Sequence, residues 1–311
     1  MKCTKLLSCK QFLREFHYSR LWFTSSDWRS LVYIPWLPYK WQYQVFHVIY
    51  RWVIACYFIG WLITSGIQFS NSGARYLIYL TNWAIIGFVF YLLVAAFSVT
   101  AKFVTVHCYN KVPDEIDRTT DYQFEKPKGS CGFRSNKLSW YQMIHWASFS
   151  ILSEIALVIA ILYWILLYNG GPVDGVNANT HLLNAIVSIL DVFFFGMPVN
   201  LLHIIYPACY GVVYASFSGI YWAANGTNPE NEERYIYSLL DYNTSTAAVI
   251  AILVVILYIP LIHLLYYVVY LARFWLVYAV YGHNKMQCWG MQVLEEHDID
   301  EHTEKENDVA V

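Results

Sequence analysis

Four polar side chains recur at helical spacing in an otherwise apolar stretch of the chain. His181, Asn184, Ser188 and Asp191 lie three, four and three residues apart in HLLNAIVSILDVFF. That spacing places all four on one face of a helix. Imidazole and carboxylate groups can transfer protons, bind a metal ion or pair with another charged group. Such a face in an apolar helix predicts a polar interior shared with neighbouring helices.

The composition of the chain assigns it to the membrane class. Of its 311 residues, 58% are hydrophobic and only 14% are charged, whereas soluble globular chains carry roughly 25% charged residues. The 13 Trp and 27 Tyr residues fit the aromatic belts of membrane–water interfaces. No basic stripe of the kind that binds phosphate backbones is present. We therefore expect an integral multi-pass protein of the plasma membrane or an endomembrane, in contact with membrane lipids and not with nucleic acid.

Six segments are long and apolar enough to form membrane-spanning helices, which need about 20 residues each. They cover residues 46–66, 76–99, 139–168, 178–196, 200–223 and 245–271. The predicted fold is an all-α integral membrane helical bundle, with six transmembrane helices in a membrane domain of residues 46–271. Residues 1–45 form a cytosolic or interfacial segment, and residues 100–138 form a cytosolic loop. Residues 272–311 form a cytosolic tail that is acidic and disordered at its end.

The distribution of Lys and Arg predicts which side of the membrane each loop occupies. Residues 1–45 and residues 100–138 contain seven each, and the tail contains three. The three loops on the other side contain only Arg75 and Arg234. Because cytosolic loops carry the excess of positive charge, both termini are predicted to be cytosolic. Arg51, inside the first span, is expected to extend to the inner headgroups, and any cytosolic protein partner is expected to bind the cytosolic loop or the tail.

Depth along the spans places the polar side chains in two layers. The outer layer, near the external surface, consists of Thr81, Asn82, His181 and Asn184. The inner layer consists of His145, Asp191, His203 and His263, and Glu154 lies near the midplane. Asp191 is thirteen residues into its span, or roughly 20 Å deep at about 1.5 Å per residue. An Asp at such depth costs about 2.5–3.5 kcal/mol, so we expect these side chains to face the bundle interior.

The inner layer has several interpretations on the sequence alone. Asp191 and His203 could form a structural pair that sets helix register. Three His and one Asp at one depth could bind zinc or iron. No close ligand motif such as HExxH is present, so we predict no metal and no cofactor. Glu154 could belong to a proton path, or it could be a neutral carboxyl hydrogen-bonded to a neighbour.

Two stretches of the chain resemble one known family. The sequence RYLIYLTNW at residues 75–83 looks like the YLTNW signature of the rolling stone family of animal membrane proteins, and a later helical hairpin is similar too. The matching hairpin residues are His181, Asn184, Asp191, Pro198, His203, Tyr206 and Pro207. The resemblance covers most of residues 20–285. Because the founding member is associated with myoblast fusion in insect muscle development, the resemblance implies a role in cell fusion or cell–cell organisation.

The same resemblance implies a second function. The family is distantly similar to the androgen-induced and androgen-dependent membrane hydrolases, which cleave fatty acid esters of hydroxy fatty acids with an intramembrane Thr and a His. The His of that pair carries over onto His181. An ungapped match of RYLIYLTNW puts Ile78 at the nucleophile position, and Thr81 lies one helical turn away. A hydrolase of this kind would therefore use Thr81.

The residues themselves agree with the second function in one respect. Thr81 and His181 share a depth, and a Thr hydroxyl is a weak nucleophile unless a base within hydrogen-bond reach removes its proton. Asn82 or Asn184 could donate a hydrogen bond to the oxyanion, and a lipid could enter sideways from the bilayer. The sequence leaves two functions open, an organiser of cell contacts and an intramembrane hydrolase, with a proton-coupled carrier using Glu154 as a third.

Overall fold

The computed structural model describes residues 15–23, 28–37, 41–107, 138–168, 170–229 and 232–281. Within these ranges all regular secondary structure is helical, which confirms the predicted all-α class. Residues 108–137 of the predicted cytosolic loop and residues 282–311 of the predicted tail lie outside the described residues. The partner-binding sites predicted for those two segments therefore stay predictions.

Six long helices make up the bundle in the described part of the chain. They are α1 (Trp41–Gln68), α2 (Leu80–His107), α3 (Trp140–Leu167), α4 (175–194), α5 (Leu201–Ala223) and α6 (Ser245–Tyr281). Five of them, all except α4, are long and apolar enough to cross a membrane. Shorter helical segments are Tyr18–Leu21, Trp28–Val32, Ser70–Ile78 and Ser238–Leu240.

Helix α4 carries the polar stripe and packs against α3 and α6. Asn184, Ser188 and Asp191 are fully buried, so for these three residues the prediction of an inward-facing stripe is confirmed. The opposite side of α4 is apolar and exposed, with side chains at steps of four residues. These are Leu182, Ile186, Leu190 and Phe194. The helix is therefore less apolar than its neighbours because one of its sides faces the protein interior.

Four π-helical turns lie within three of the long helices. Their positions are Phe149–Ser153 and Tyr163–Leu167 in α3, Asn179–Leu183 in α4 and Val254–Tyr258 in α6. A π-turn adds a residue to one turn of the helix, and such turns are frequent at functional sites. Tyr163 and His181 both lie in π-turns, so regular helical spacing does not predict the direction of their side chains.

The two ends of the bundle differ in how they are covered. We call the end with residues 69–79, 170–174, 224–229 and 232–244 the outer end, and the end with residues 15–23, 28–37 and 195–200 the inner end, following the predicted orientation. Residues 224–229 and 232–244, which we call the outer loop, fold back over the outer end and contribute walls to a cavity there. The described part of the N-terminal segment covers the inner end.

The N-terminal segment is held against the inner end by packing and hydrogen bonds. Leu31 and Val32 are buried in the main hydrophobic core. The Tyr206 hydroxyl donates to the Leu21 carbonyl at 2.6 Å, and Trp36 Nε1 donates to a carbonyl of α4 at 2.8 Å. The described part of the predicted cytosolic or interfacial segment therefore packs on the helices of the bundle.

Arg273 closes the carboxyl end of α4. Its guanidinium donates to the carbonyl oxygens of Val192 at 2.6 Å and Met197 at 3.0 Å, and to that of Phe195. The last carbonyl groups of a helix lack partners within it, and Arg supplies five N–H donors. The sequence places Arg273 in the predicted tail, and in the structure α6 continues to Tyr281 and buries this side chain.

Candidate functional site

A cavity of about 530 Å³ lies at the outer end of the bundle. Its walls come from the outer ends of α1, α3 and α4, from the start of α2 and from the outer loop. Three members of the predicted outer layer, Thr81, Asn82 and His181, line it. Asn184, the fourth member, is fully buried and is not one of its walls.

Thr81 lies in the first turn of α2, where backbone N–H groups have no partner within the helix. The Tyr214 hydroxyl accepts a hydrogen bond from Leu80 N at 3.1 Å and donates one to the Ile78 carbonyl at 2.9 Å. Tyr237 of the outer loop borders the same cavity as Thr81. Burial raises the pKa of Tyr237, and the neighbouring polar groups of Thr81 oppose that rise. Groups from α5 and the outer loop therefore fix Thr81 at the cavity wall.

His181 is positioned by two aromatic side chains of α3. Its ring stacks on Tyr163 with centroids 3.5 Å apart and planes 4° from parallel. Its backbone carbonyl accepts from Trp164 Nε1 at 3.0 Å. The His181 Nδ1 atom is buried and has no hydrogen-bond partner among the described residues. The imidazole is therefore held by packing, and no hydrogen bond to Nδ1 in the described structure fixes its tautomer.

Thr81 and His181 are walls of the same cavity. The described residues show no hydrogen bond between the two side chains, so their common feature is the space that both border. Catalytic hydrogen bonds are often long in unliganded enzymes and shorten when substrate binds. The arrangement is compatible with a nucleophile and a base that act on a molecule lying between them.

Both predicted oxyanion donors are bonded to backbone oxygens. Asn82 Nδ2 donates to the Tyr76 carbonyl at 2.6 Å. Asn184 Nδ2 donates to the Thr180 carbonyl at 2.8 Å. The first bond ties α2 to the segment before it, and the second spans the end of the π-turn in α4. In this structure the two amides therefore stabilise the helices that form the site.

A smaller apolar pocket of about 120 Å³ adjoins the cavity, between α3, α5 and α6. Thr81, Tyr163, Leu167 and Tyr237 are walls of both spaces. The remaining walls of the pocket are mainly Leu, Ile and Val side chains, and Gly211 of α5 is among them. The Thr81 side chain thus lies at the boundary between a polar and an apolar space.

The inner layer contains a buried ion pair. Arg51 Nη1 lies 2.7 Å from Asp191 Oδ2, and the Tyr91 hydroxyl donates to the same oxygen at 2.5 Å. Arg51 Nε donates to His47 Nε2 at 3.1 Å, while His47 Nδ1 donates to the Val32 carbonyl at 2.8 Å, so the His47 ring is neutral. The expectation that Arg51 extends to the headgroups is wrong, because a carboxylate inside the bundle compensates its charge.

His145 lies beside this ion pair without joining it through a hydrogen bond. Its ring stacks near Tyr91 with centroids 6.0 Å apart. Both of its ring nitrogens are buried and have no hydrogen-bond partner among the described residues. The structure therefore brings His145 next to the Tyr91–Asp191 contact and gives it no further polar contact there.

Glu154 and His263 form a second buried pair. His263 Nδ1 is 2.9 Å from Glu154 Oε1, and His263 Nε2 donates to the Asn200 carbonyl at 3.0 Å. Both side chains are almost completely buried. One interpretation of Glu154 was a carboxyl group that is hydrogen-bonded to a neighbour. The structure provides that neighbour, His263.

His203 belongs to the same region as the second pair. Its Nδ1 is 3.3 Å from the Ser150 hydroxyl, and its Nε2 is 3.4 Å from Asn200 Nδ2. The predicted Asp191–His203 pair is wrong, because Asp191 binds Arg51 and Tyr91 instead. Similar depth placed the two residues in one layer, but depth does not determine which side chains face each other.

No group of three or more His, Cys, Asp or Glu side chains is arranged to hold a metal ion in the described ranges. Of the inner-layer histidines, His263 pairs with Glu154, His203 contacts Ser150 and Asn200, and His145 lies beside Tyr91.

Comparison with known proteins assigns the chain to a family. The family model described as Protein rolling stone matches residues 6–289, which is most of the chain. The chain belongs to the rolling stone family. The family predicted from the YLTNW stretch and the hairpin is therefore confirmed. Protein rolling stone of Drosophila melanogaster is 24% identical to this chain over 240 residues, which cover 76% of this chain and 80% of that protein. No solved structure matches the chain.

Sequence reasoning missed several residues that shape the site of this rolling stone family member. Arg51 had a detectable signal, because it is ionisable, lies inside a span and is close in depth to Asp191. Tyr163 and Tyr237 had none, since Tyr is abundant throughout this chain. Their roles depend on a π-turn and on the fold of the outer loop.

Proposed function

We propose that this protein is an intramembrane hydrolase of lipid esters, with Thr81 as nucleophile and His181 as general base. The observation that carries the proposal is the position of Thr81 on the wall shared by the polar cavity and the apolar pocket. A lipid ester has its reactive carbonyl at such a boundary, between an acyl chain and a polar head. A hydroxyl at this point can reach the ester while each part of the lipid occupies a space of matching polarity.

The proposed reaction has two steps. The Thr81 hydroxyl attacks the ester carbonyl while His181 takes its proton, and the departing alcohol then receives that proton. This leaves an acyl group on Thr81. A water molecule, deprotonated by His181, attacks the acyl group, and the products are a fatty acid and regenerated Thr81. The position of His181 on the wall of the same cavity as Thr81 supports the role of base. Ile78, at the ungapped nucleophile position, has no hydroxyl.

The proposal includes six membrane spans with both termini in the cytosol. Helix α4 has 20 residues, which at about 1.5 Å per residue matches a hydrocarbon core of about 30 Å. Its exposed apolar side suits lipid contact. The Lys and Arg residues concentrate in residues 1–45 and 100–138, and Asn225 and Asn243, both in glycosylation sequons, are exposed in the outer loop. Glycosylation of either Asn would show that the outer loop lies outside the cytosol, as proposed. If only cytosolic reagents reached the loop, the proposed orientation would be wrong.

The catalytic proposal is tested with a probe that modifies activated Ser and Thr side chains. We expect labelling of the wild-type protein in membranes, and loss of labelling in both Thr81→Ala and His181→Ala. Thr64→Ala is a matched control, because the Thr64 hydroxyl donates only to the Gly60 carbonyl of its own helix in the described structure. Labelling that survives Thr81→Ala in a normally inserted protein would exclude Thr81 as the nucleophile.

A role in cell fusion, such as myoblast fusion, or in cell–cell organisation is the second candidate. Membership of the rolling stone family supports this candidate, because the founding member of that family is associated with myoblast fusion. It requires the plasma membrane, and partners would bind the cytosolic loop or the tail. We expect Thr81→Ala to abolish hydrolysis and to leave this second activity unchanged if the two functions are separate. A cell-mixing assay with wild-type and Thr81→Ala protein measures the difference.

A further inference from the structure

We infer that the substrate is an uncharged lipid ester, in which one acyl chain joins a hydroxylated head such as glycerol. The inference rests on the proposed function and goes beyond it, because it names the head group that the cavity can accept. Its basis is the charge of the cavity walls and of the arginines nearest to them.

The cavity walls offer hydroxyl and amide groups but no cation. Among the described residues that line the cavity there is no Lys or Arg. The one carboxylate, Asp174, caps α4 by accepting a hydrogen bond from Asn177 N at 2.7 Å. Ser65 and Tyr76 hydroxyls lie 3.1 Å apart, and Asn177 Nδ2 donates to the Tyr163 hydroxyl at 2.6 Å. These walls can bind a head group through neutral hydrogen bonds.

The two described arginines of the outer end bind groups outside the cavity. Arg75 Nη1 contacts both carboxylate oxygens of Glu232, at 2.9 and 3.1 Å. Arg234 donates to the Trp222 carbonyl at 3.3 Å, and its guanidinium lies 5.4 Å from the centre of the Trp222 ring. Neither residue is a wall of the cavity. A phosphate or carboxylate head would enter next to Asp174 with no compensating positive charge on the cavity wall, and like charges repel.

The apolar pocket is suited to one acyl chain. It adjoins the cavity along the wall that includes Thr81, and it lies between α3, α5 and α6. A Cβ atom at Gly211 would come within 2.7 Å of Ile259 Cδ1 and 3.2 Å of Val255 Cγ2, so α5 and α6 already approach closely there. With about 120 Å³ available, the pocket holds the part of one acyl chain next to the ester, and the rest of that chain and any second chain would extend into the bilayer.

Photolabelling of the full-length protein in nanodiscs tests the inference separately from catalysis. The probe is a monoacylglycerol with a diazirine and an alkyne in its acyl chain, and its counterpart is the lysophosphatidate with the same chain. In the Thr81→Ala protein, which cannot turn over the probe, we expect about tenfold stronger labelling by the neutral lipid. We expect Ala251→Phe, which fills the pocket, to reduce labelling by about fivefold or more. Val249→Phe, at an exposed site of the same helix, is the control.

The opposite charge preference can be engineered. Ser72→Arg adds a cation to the cavity wall and should shift labelling towards the lysophosphatidate, because the added charge compensates the phosphate. Equal labelling by the two lipids in the Thr81→Ala protein, or stronger labelling by the lysophosphatidate, would overturn the inference. Selective labelling by the neutral lipid without Thr81-dependent hydrolysis would refute the proposed catalysis and leave the binding inference intact. Equal hydrolysis of neutral and charged esters, dependent on Thr81, would refute the inferred preference for uncharged lipids and leave the proposed catalysis intact.

Discussion

Arg51 and Asp191 form an ion pair of 2.7 Å in the interior of the bundle, with side chains that are 1% and 0% exposed. The pair joins α1 to α4, and the Tyr91 hydroxyl joins α2 to the same carboxylate. Three helices therefore meet at one oxygen atom. The guanidinium also lies over the Phe195 ring, 4.1 Å from its centre, which adds a cation–π contact.

Removing both members of this pair should cost less stability than the two single removals added together. Asp191→Asn or Arg51→Met alone leaves an uncompensated buried group, and such changes cost about 3–5 kcal/mol. Arg51→Met combined with Asp191→Leu removes both charges and should be less destabilising than the two single changes added together. Thermal unfolding in detergent measures the difference. Additive effects in the double variant would show that the two side chains are not coupled.

The Glu154–His263 pair should tolerate an amide in place of the carboxyl group. His263 Nε2 donates to the Asn200 carbonyl, so Nε2 carries a proton and Nδ1 remains for Glu154. In Glu154→Gln an amide N–H can donate to Nδ1, and the loss should stay within about 1 kcal/mol. Glu154→Leu leaves Nδ1 buried without a partner and should cost about 1–3 kcal/mol. Equal loss in both variants would argue against this hydrogen bond.

The outer loop should loosen in acid. Hydrogen bonds from Arg75 and then Thr227 lower the pKa of Glu232 below its usual 4.5. A lowered carboxyl pKa stabilises the folded loop at pH values above the usual pKa, and this contribution disappears as the pH falls through the lowered pKa. We expect faster amide exchange in the outer loop at about pH 3 than at pH 7 after correction for intrinsic rates. Glu232→Gln should remove most of this pH difference, and an unchanged difference would assign it to another group.

Gly196 should not accept a side chain. A Cβ atom there would overlap the carbonyl oxygen of Ser30, which is a backbone atom and cannot move aside as a side chain can. We expect Gly196→Ala to cost about 1–3 kcal/mol and to make the N-terminal segment more sensitive to protease. Gly66→Ala in α1 is the matched control, since nothing lies within 4 Å of the added atom. There the helix should gain up to about 1 kcal/mol. Similar stability of the two variants would contradict the close contact.

Helical class and much of the burial pattern followed from local sequence. Long apolar segments must satisfy their backbone hydrogen bonds internally, so they form helices, and the six-helix bundle of the described residues agrees with that argument. The Asn184, Ser188 and Asp191 stripe was predictable because polar groups are costly in lipid. The depth argument also placed Thr81 and His181 close enough to line one cavity.

Only the tertiary structure determined which side chains meet. Hydropathy describes position along a helix, whereas partners depend on helix rotation, on π-turns and on segments that fold back from elsewhere in the chain. The sequence predicted that Arg51 reaches the headgroups and that Arg273 lies in the tail, because a charge alone favours water. In the structure a carboxylate on α4 and the free carbonyl groups at its end compensate those charges inside the bundle. Amino-acid order therefore set the helices and their polar sides, and three-dimensional packing decided the pairs, the cavity and the boundary at Thr81.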